Sequence, residues 1–144
     1  MAMEITHAQP QDWANIATLL VDNHLPVEGL QEHLDTTLVV RQDDVIIACA
    51  ALEFYEPYAL LRSVCVDSSH QRQGLGHKLT NACLEMAAQH KIDKVFLLTQ
   101  TAGDFFPRFG FTKIDRDRVP QEIRNSVEFA SVCPVSSLVM VKAI

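Results

Sequence analysis

Six consecutive residues, Gln71-Arg72-Gln73-Gly74-Leu75-Gly76, have the types and spacing to hold an anion. The hydrophobic run Val64-Cys65-Val66 ahead of them stops at Asp67-Ser68-Ser69, which is turn chemistry. After them Leu75, Leu79, Ala82, Cys83, Met86 and Ala87 recur at three- and four-residue spacing, a helical pattern that runs to His90. The spacing predicts a strand, a tight polar loop and a helix start. First-turn N–H groups of a helix have no intrahelical acceptor. Glycine lets a ligand approach them, and the helix dipole adds partial positive charge. The product is an anion cradle, suited above all to a pyrophosphate. A Walker A loop is absent, and the dinucleotide fingerprint lacks its third glycine.

Arg62 is the second residue with chemistry in view. It interrupts the apolar run Ala59-Leu60-Leu61-Arg62-Ser63-Val64. An arginine in a central strand is costly to bury unless it meets an anion. Its planar fork suits a carboxylate or a phosphinate. The alternative is a surface salt bridge on an exposed sheet face. Strand alternation puts Arg62 and Val64 on one face and Ser63 and Cys65 on the other.

These residues need a scaffold, and 144 residues with 48% hydrophobic and 21% charged residues suffice for one domain, 1–144. The net charge of −6 argues against nucleic acid or an anionic membrane as a partner. No apolar stretch reaches membrane-span length, and Met1-Ala2-Met3-Glu4 opens no signal peptide. Cys49, Cys65, Cys83 and Cys133 form no Cys-x-x-Cys pair, so no metal site is expected. They read as reduced core residues of a cytoplasmic protein.

Along the chain, Met3–His7 reads as a strand, and Pro10 opens a helix through Trp13, Ile16 and Leu20. A short helix through Leu30 and Leu34 follows. Thr36–Arg41 and Val45–Tyr55 form a hairpin about Gln42-Asp43-Asp44. Ala59–Val66 is the strand that leads into the loop. Lys94–Leu98 follows the central helix, so these two strands are parallel. Thr101–Phe109 reads as a helix closed by Gly110, and Phe111–Ile114 as a strand. Pro120 starts a helix through Ile123, Val127 and Phe129, and Ser136–Val141 is the last strand. The class is α/β (α+β mixed): a mixed, mostly antiparallel sheet of about seven strands with helices on both faces.

That element order resembles the GCN5-related N-acetyltransferase (GNAT) superfamily over nearly the whole chain. Gln71-x-x-Gly74-x-Gly76 resembles its acetyl-CoA pyrophosphate loop, and Phe105-Phe106-Pro107-Arg108-Phe109-Gly110-Phe111 its Phe-Tyr-x-x-x-Gly-Phe segment. The resemblance implies acetyl-CoA as cosubstrate. Gln71, Arg72, Gln73, Gly74, Leu75 and Gly76 would hold its pyrophosphate; Val64, Cys65, Val66 and Phe106 would line its arm. An N–H of Val64 or Cys65 would meet the tetrahedral oxyanion. Many relatives protonate the leaving thiolate with a tyrosine where this chain has Phe106, which has no proton to give. Glu53, near a strand end, is the candidate general base, against the alternative of a solvated carboxylate. His24 and Asp67 are further candidates, while His70 belongs to the turn.

A narrower resemblance rests on Leu61-Arg62-Ser63, Leu98-Thr99-Gln100-Thr101-Ala102, Asp104-Phe105-Phe106 and the tail Val119–Pro134. These are similar to the arsenic-resistance N-acetyltransferases, which acetylate arsinothricin and phosphinothricin. N-acetylglutamate synthases have a similar tail. The resemblance implies an amino-acid-like acceptor with a second acidic group, held by Arg62 and Arg124. The alternative for Arg124 is a helix-surface pair with Glu128, four residues on. A homodimer is compatible with this reading. Two other readings stay open: a non-catalytic CoA-binding sensor and a protein N-acetyltransferase.

Overall fold

The computed structural model describes residues 4–100, 102–132 and 137–144. Met3, Thr101, Cys133 and Ser136, to which expectations above extend, lie outside the described residues. The strands are β1 (Ile5–His7), β2 (Thr37–Gln42), β3 (Val45–Tyr55), β4 (Tyr58–Val66), β5 (Lys94–Thr99), β6 (Thr112–Lys113) and β7 (Leu138–Ala143). They form one sheet in the order β1-β2-β3-β4-β5-β7-β6. Among the described residues only the β4–β5 pair is parallel. The helices are α1 (Trp13–Asp22), α2 (Leu75–Gln89) and the single turn α3 (Gln121–Arg124). A 3-10 turn (Pro10–Asp12) leads into α1, and a 3-10 segment (Leu30–Thr36) follows it. The expected mixed sheet and helix placement are therefore present.

Two expected helices are shorter than their patterns. Residues 106–109 form one 3-10 turn, because Pro107 supplies no N–H to an α ladder and Gly110 ends it at φ +94°. In the tail the pattern through Ile123, Val127 and Phe129 breaks after α3. Ser126 Oγ donates to Ile123 O at 2.7 Å and accepts from Phe129 N at 3.3 Å. The side chain thus competes with the helical ladder, and Glu128–Val132 continues as a π turn.

One face of the sheet packs on α2, where Leu79, Cys83 and Ala87 meet Leu52, Leu61 and Leu97. The other face carries two separate apolar clusters. Ile16 and Leu20 of α1 cover Cys49, Ala51 and Cys65, while Ile123 of α3 and Val119 cover Leu60 and Phe96. Asp12 pins the entry to α1 onto β2 through Arg41, at 2.9 and 2.5 Å. Those bonds hold the Asp12 carboxyl below its ordinary range against the opposing effect of burial.

A bulge in β4 overturns the simple alternation expected of Arg62. Cys49 faces Cys65 and Ala51 faces Arg62, so Ser63 and Val64 together oppose Ala50 alone. Ser63 sits at φ +60°. The extra residue flips the strand by one position. Leu61, Val64 and Val66 all pack on the α2 side, and Cys65 on the α1 side. Arg62, with Leu60, points to the face opposite Val64.

The bulge has a second effect. β4 pairs with β5 only from Tyr58↔Lys94 to Leu61↔Leu97. Beyond it Leu98 and Thr99 pair only with Val139 and Leu138 of β7. The sheet therefore parts between Val64–Val66 and the end of β5.

The β2–β3 hairpin provides a check on this backbone. Asp43 and Asp44 take φ +51° and +67°, the two positive values of a type I′ turn. Glycine is free of the Cβ penalty there, so Asp44→Gly is expected to stabilise the protein by about 0.5 kcal/mol. Urea unfolding measures it; a lower midpoint in the variant contradicts the turn assignment.

Candidate functional site

The parting of β4 from β5 opens a cavity of about 630 Å³. Ser63 to Val66 form one wall, with Leu98, Thr99, Phe105 and Phe106 opposite. Gln71, Arg72, Gly74, Leu75 and Gly76 close one end, and Asn23 and Leu25 the other. All the cradle residues except Gln73 thus line it.

The loop has the backbone of a glycine-bearing helix start. Gly74 caps α2 at φ +79°, and Arg72 also has positive φ, +68°. Lys78 N–H, 3.0 Å from Gly74 O, is the first donor of the α2 ladder. The N–H groups of Leu75, Gly76 and His77 precede it at the cavity end of a four-turn helix. Polar contacts fix the loop: Asp67 N–H donates to Ile47 O at 2.7 Å, and His70 Nε2 lies 2.7 Å from Gln42 Oε1. The Ser69 hydroxyl, then His70, holds the Asp67 carboxyl below its ordinary range, which makes Asp67 a poor base. Opposite, Phe106 is buried edge-on against Phe105 and Phe111, at 5.1 and 5.8 Å between centroids. No proton is available from that ring. Burial pushes the Cys65 thiol up to about 12, so it stays protonated beside the cavity.

On the face opposite α2, between the α1 and α3 clusters, lies a buried polar seam centred on Arg62. Its side chain is 0% exposed. Nη1 donates to Glu53 Oε2 at 2.9 Å and to Glu28 O at 2.8 Å, and Nη2 to Pro26 O at 3.3 Å. Nε lies 3.1 Å from Glu128 Oε2 and 3.2 Å from Ser63 Oγ. Tyr55 OH donates to Glu53, and His33 Nε2 is 3.8 Å from Glu53 Oε1.

This geometry sets aside three of the alternatives given above. Arg62 is not on an exposed face; it meets its anions inside the protein. Glu53 is 1% exposed and does not line the cavity, so it is no solvated strand-end carboxylate. Arg124 does not pair with Glu128. The break at Ser126 turns Glu128 onto the sheet, and Arg124 Nη2 donates to Arg116 O at 2.7 Å instead. Arg124 does not line the cavity, and its Nε is buried without a hydrogen-bond partner. His24 is exposed.

Glu128 and Tyr55 were not singled out from the sequence. Tyr55 was within reach, since it shares a face with Glu53 two residues away. Glu128 was not, because its position depends on the tail break. Desolvation pushes the Glu128 carboxyl up to about 7; Arg62 opposes the rise and Glu53 adds to it.

The Acetyltransferase (GNAT) domain family matches residues 33–113, more than half of the chain. The chain belongs to this acetyltransferase family. It is 30% identical over 97 residues to the amino-acid acetyltransferase of Proteus mirabilis, covering 66% of this chain and 22% of that protein. It is 28% identical over 104 residues to the amino-acid acetyltransferase of Actinobacillus pleuropneumoniae serotype 5b, covering 71% of this chain and 24% of that protein. The chain therefore spans about a quarter of the length of these curated relatives. In fold it is similar to N-acetylglutamate synthase from Neisseria gonorrhoeae complexed with coenzyme A and N-acetyl-glutamate. The TM-score is 0.84 at 21% identity, over 99% of this chain and 35% of that one. It is also similar to Rv2747 from Mycobacterium tuberculosis in complex with CoA, with TM-score 0.81 at 23% identity over 98% and 99% of the two chains. No helix among the described residues is long and apolar enough to cross a membrane.

Two predictions follow from the site's geometry. At Gly76 a Cβ would lie 3.6 Å from Phe105 and 3.8 Å from Val66, ordinary contacts, so Gly76→Ala is expected to fold. Gly74→Val, at φ +79°, and Gly76→Val are expected to weaken acetyl-CoA binding at least about 10-fold by calorimetry. Normal binding by both folded valine variants overturns the cradle.

The second concerns Glu128, whose carboxyl titrates near 7 in the native state against an ordinary 4.5. From about pH 4.5 to 7 the native state holds this proton while the unfolded chain loses it. Stability from this group therefore falls as pH rises, by up to about 3 kcal/mol above pH 7. Urea unfolding across pH 5–8 measures it; a slope left unchanged by Glu128→Gln refutes the assignment.

Proposed function

We propose that residues 1–144 act as one domain that transfers acetyl from acetyl-CoA to the α-amine of a small amino acid with a second acidic group. The observation that carries this reading is the parting of β4 from β5 beside the Gln71–Gly76 cradle. Pyrophosphate binds the N–H groups of the cradle. The pantetheine arm extends along Val64–Val66, which β5 leaves unpaired on that side. The thioester then lies at the bulge, with Asn23 and Leu25 at the acceptor end of the cavity.

In this reading the neutral amine attacks the thioester carbonyl, and an N–H of Val64 or Cys65 receives the oxyanion. Collapse breaks the C–S bond, and CoA leaves as a thiolate without an acid at Phe106. The amine's surplus proton passes to solvent, because Glu53 is walled off and already accepts bonds from Arg62 and Tyr55. Glu53 is thus a positioning residue: it fixes Arg62, the cation behind the acceptor end. The amino-acid acetyltransferase relatives support an amino-acid acceptor. Arsinothricin and phosphinothricin are the narrower candidates, supported by Leu61-Arg62-Ser63 and the tail pattern.

Thiol release from acetyl-CoA, followed with glutamate, phosphinothricin, leucine and an N-terminal peptide, tests this function. The expected order of kcat/KM places the two acidic acceptors first. Faster turnover of the peptide, or no release above hydrolysis with any amino acid, refutes it.

A further inference from the structure

The two carboxylates on Arg62 are held very differently. Glu53 is fixed within β3, paired to Leu60 across the ladder, and bonded by Tyr55. Glu128 comes from the π turn after the tail break. Its neighbour Val127 packs on the α1-side loop so closely that a Cβ at Gly29 would lie 3.0 Å from Val127 Cβ. Glu128 meets the Nε edge of Arg62, where Ser63 Oγ also sits, and Ser63 lines the cavity. The carboxylate of Glu128 is therefore one shared N–H away from the cavity wall.

Glu53 and the carbonyl of Glu28 take both N–H groups of Nη1, and the carbonyl of Pro26 takes one of Nη2. The edge on which Glu128 lies, with Nε and the second N–H of Nη2, is the one an incoming carboxylate would take. With Glu128 charged there, two carboxylates share one guanidinium and the seam repels a third. Among these partners Glu128 carries a visible desolvation cost, since burial raises its carboxyl to about 7. Release into water recovers that cost.

We propose that Glu128 determines acceptor specificity: it occupies the edge of Arg62 that an acceptor's acidic group would take, so an acidic acceptor binds by displacing it. Neutral acceptors leave it in place. The proposal rests on the transferase reading above and adds a residue that selects by charge.

Acetyl transfer to L-glutamate and to L-leucine, measured for wild type, Glu128→Gln and Glu128→Ala, tests it. The expected result is a glutamate-to-leucine ratio of kcat/KM that rises at least about 10-fold in Glu128→Ala and by a smaller factor in Glu128→Gln. The amide still bonds Nε but no longer repels the acceptor. An unchanged or lower ratio in both variants overturns the proposal; if Glu128→Ala does not fold, Glu128→Gln decides alone. Should no protein acetylate either amino acid, the transferase reading fails on its own. Amide hydrogen exchange then decides the inference. Saturating glutamate, but not leucine, is expected to quicken exchange at Phe129 and Ala130 in wild type. No change there overturns it.

Discussion

A guanidinium cannot shed its charge, and in this protein one is buried at the centre of the sheet. Arg62 must therefore find acceptors for its donors within the fold. It draws them from three places that are remote in sequence: Glu53 on β3, the carbonyls of Pro26 and Glu28, and Glu128 of the tail. Breaking a buried pair of this kind costs about 3–5 kcal/mol, because the abandoned charges stay buried. The α1 and α3 clusters are separate, and Arg62 bridges the seam between them, beside the contact of Val127 with Gly29.

The bulge sets that arrangement beside the cavity along Val64–Val66. Were Ser63 a regular strand residue rather than the extra residue of a bulge, Arg62 and Val64 would point to the same side. With the bulge, Arg62 turns to the seam while Val64 and Val66 keep their apolar contacts. The same irregularity ends the pairing of β4 with β5. A single left-handed serine thus turns Val64 and Val66 away from the cation and parts the sheet beside them.

The parts of this structure legible in the sequence are those with local signatures. The β3 strand shows in the apolar run Val45–Leu52, interrupted at Glu53 before Phe54 and Tyr55, and the start of α2 shows in its glycines and the helical spacing after them. Asp43-Asp44 marks a turn by composition. The bulge has no such mark, because serine is unremarkable in strand or turn, and positive φ at Ser63 is imposed by tertiary context. The tail misleads for a related reason. Ile123, Val127 and Phe129 suit one helix face, yet Ser126 captures the backbone groups that a continuous helix would use. Glu128 could be placed beside Arg62 only once that break was known. Arg62 itself was legible as an anomaly; its partners were not, since they lie up to 66 residues away in sequence.

The parted sheet also bears on self-association. Strands left unpaired along one side are templates for other strands, and proteins usually blunt such edges with charge or cover. Here Val64-Cys65-Val66 has neither charge nor proline. Its protection is architectural: the start of α2 on one side and Phe105 with Phe106 on the other flank the notch. A single extended molecule fits between them, while the flat border of a second sheet is fended off. Whatever lies along that edge also stabilises the native state in proportion to RT ln(1 + [L]/Kd). The cosubstrate in this reading is therefore a solubility factor as well as a reactant.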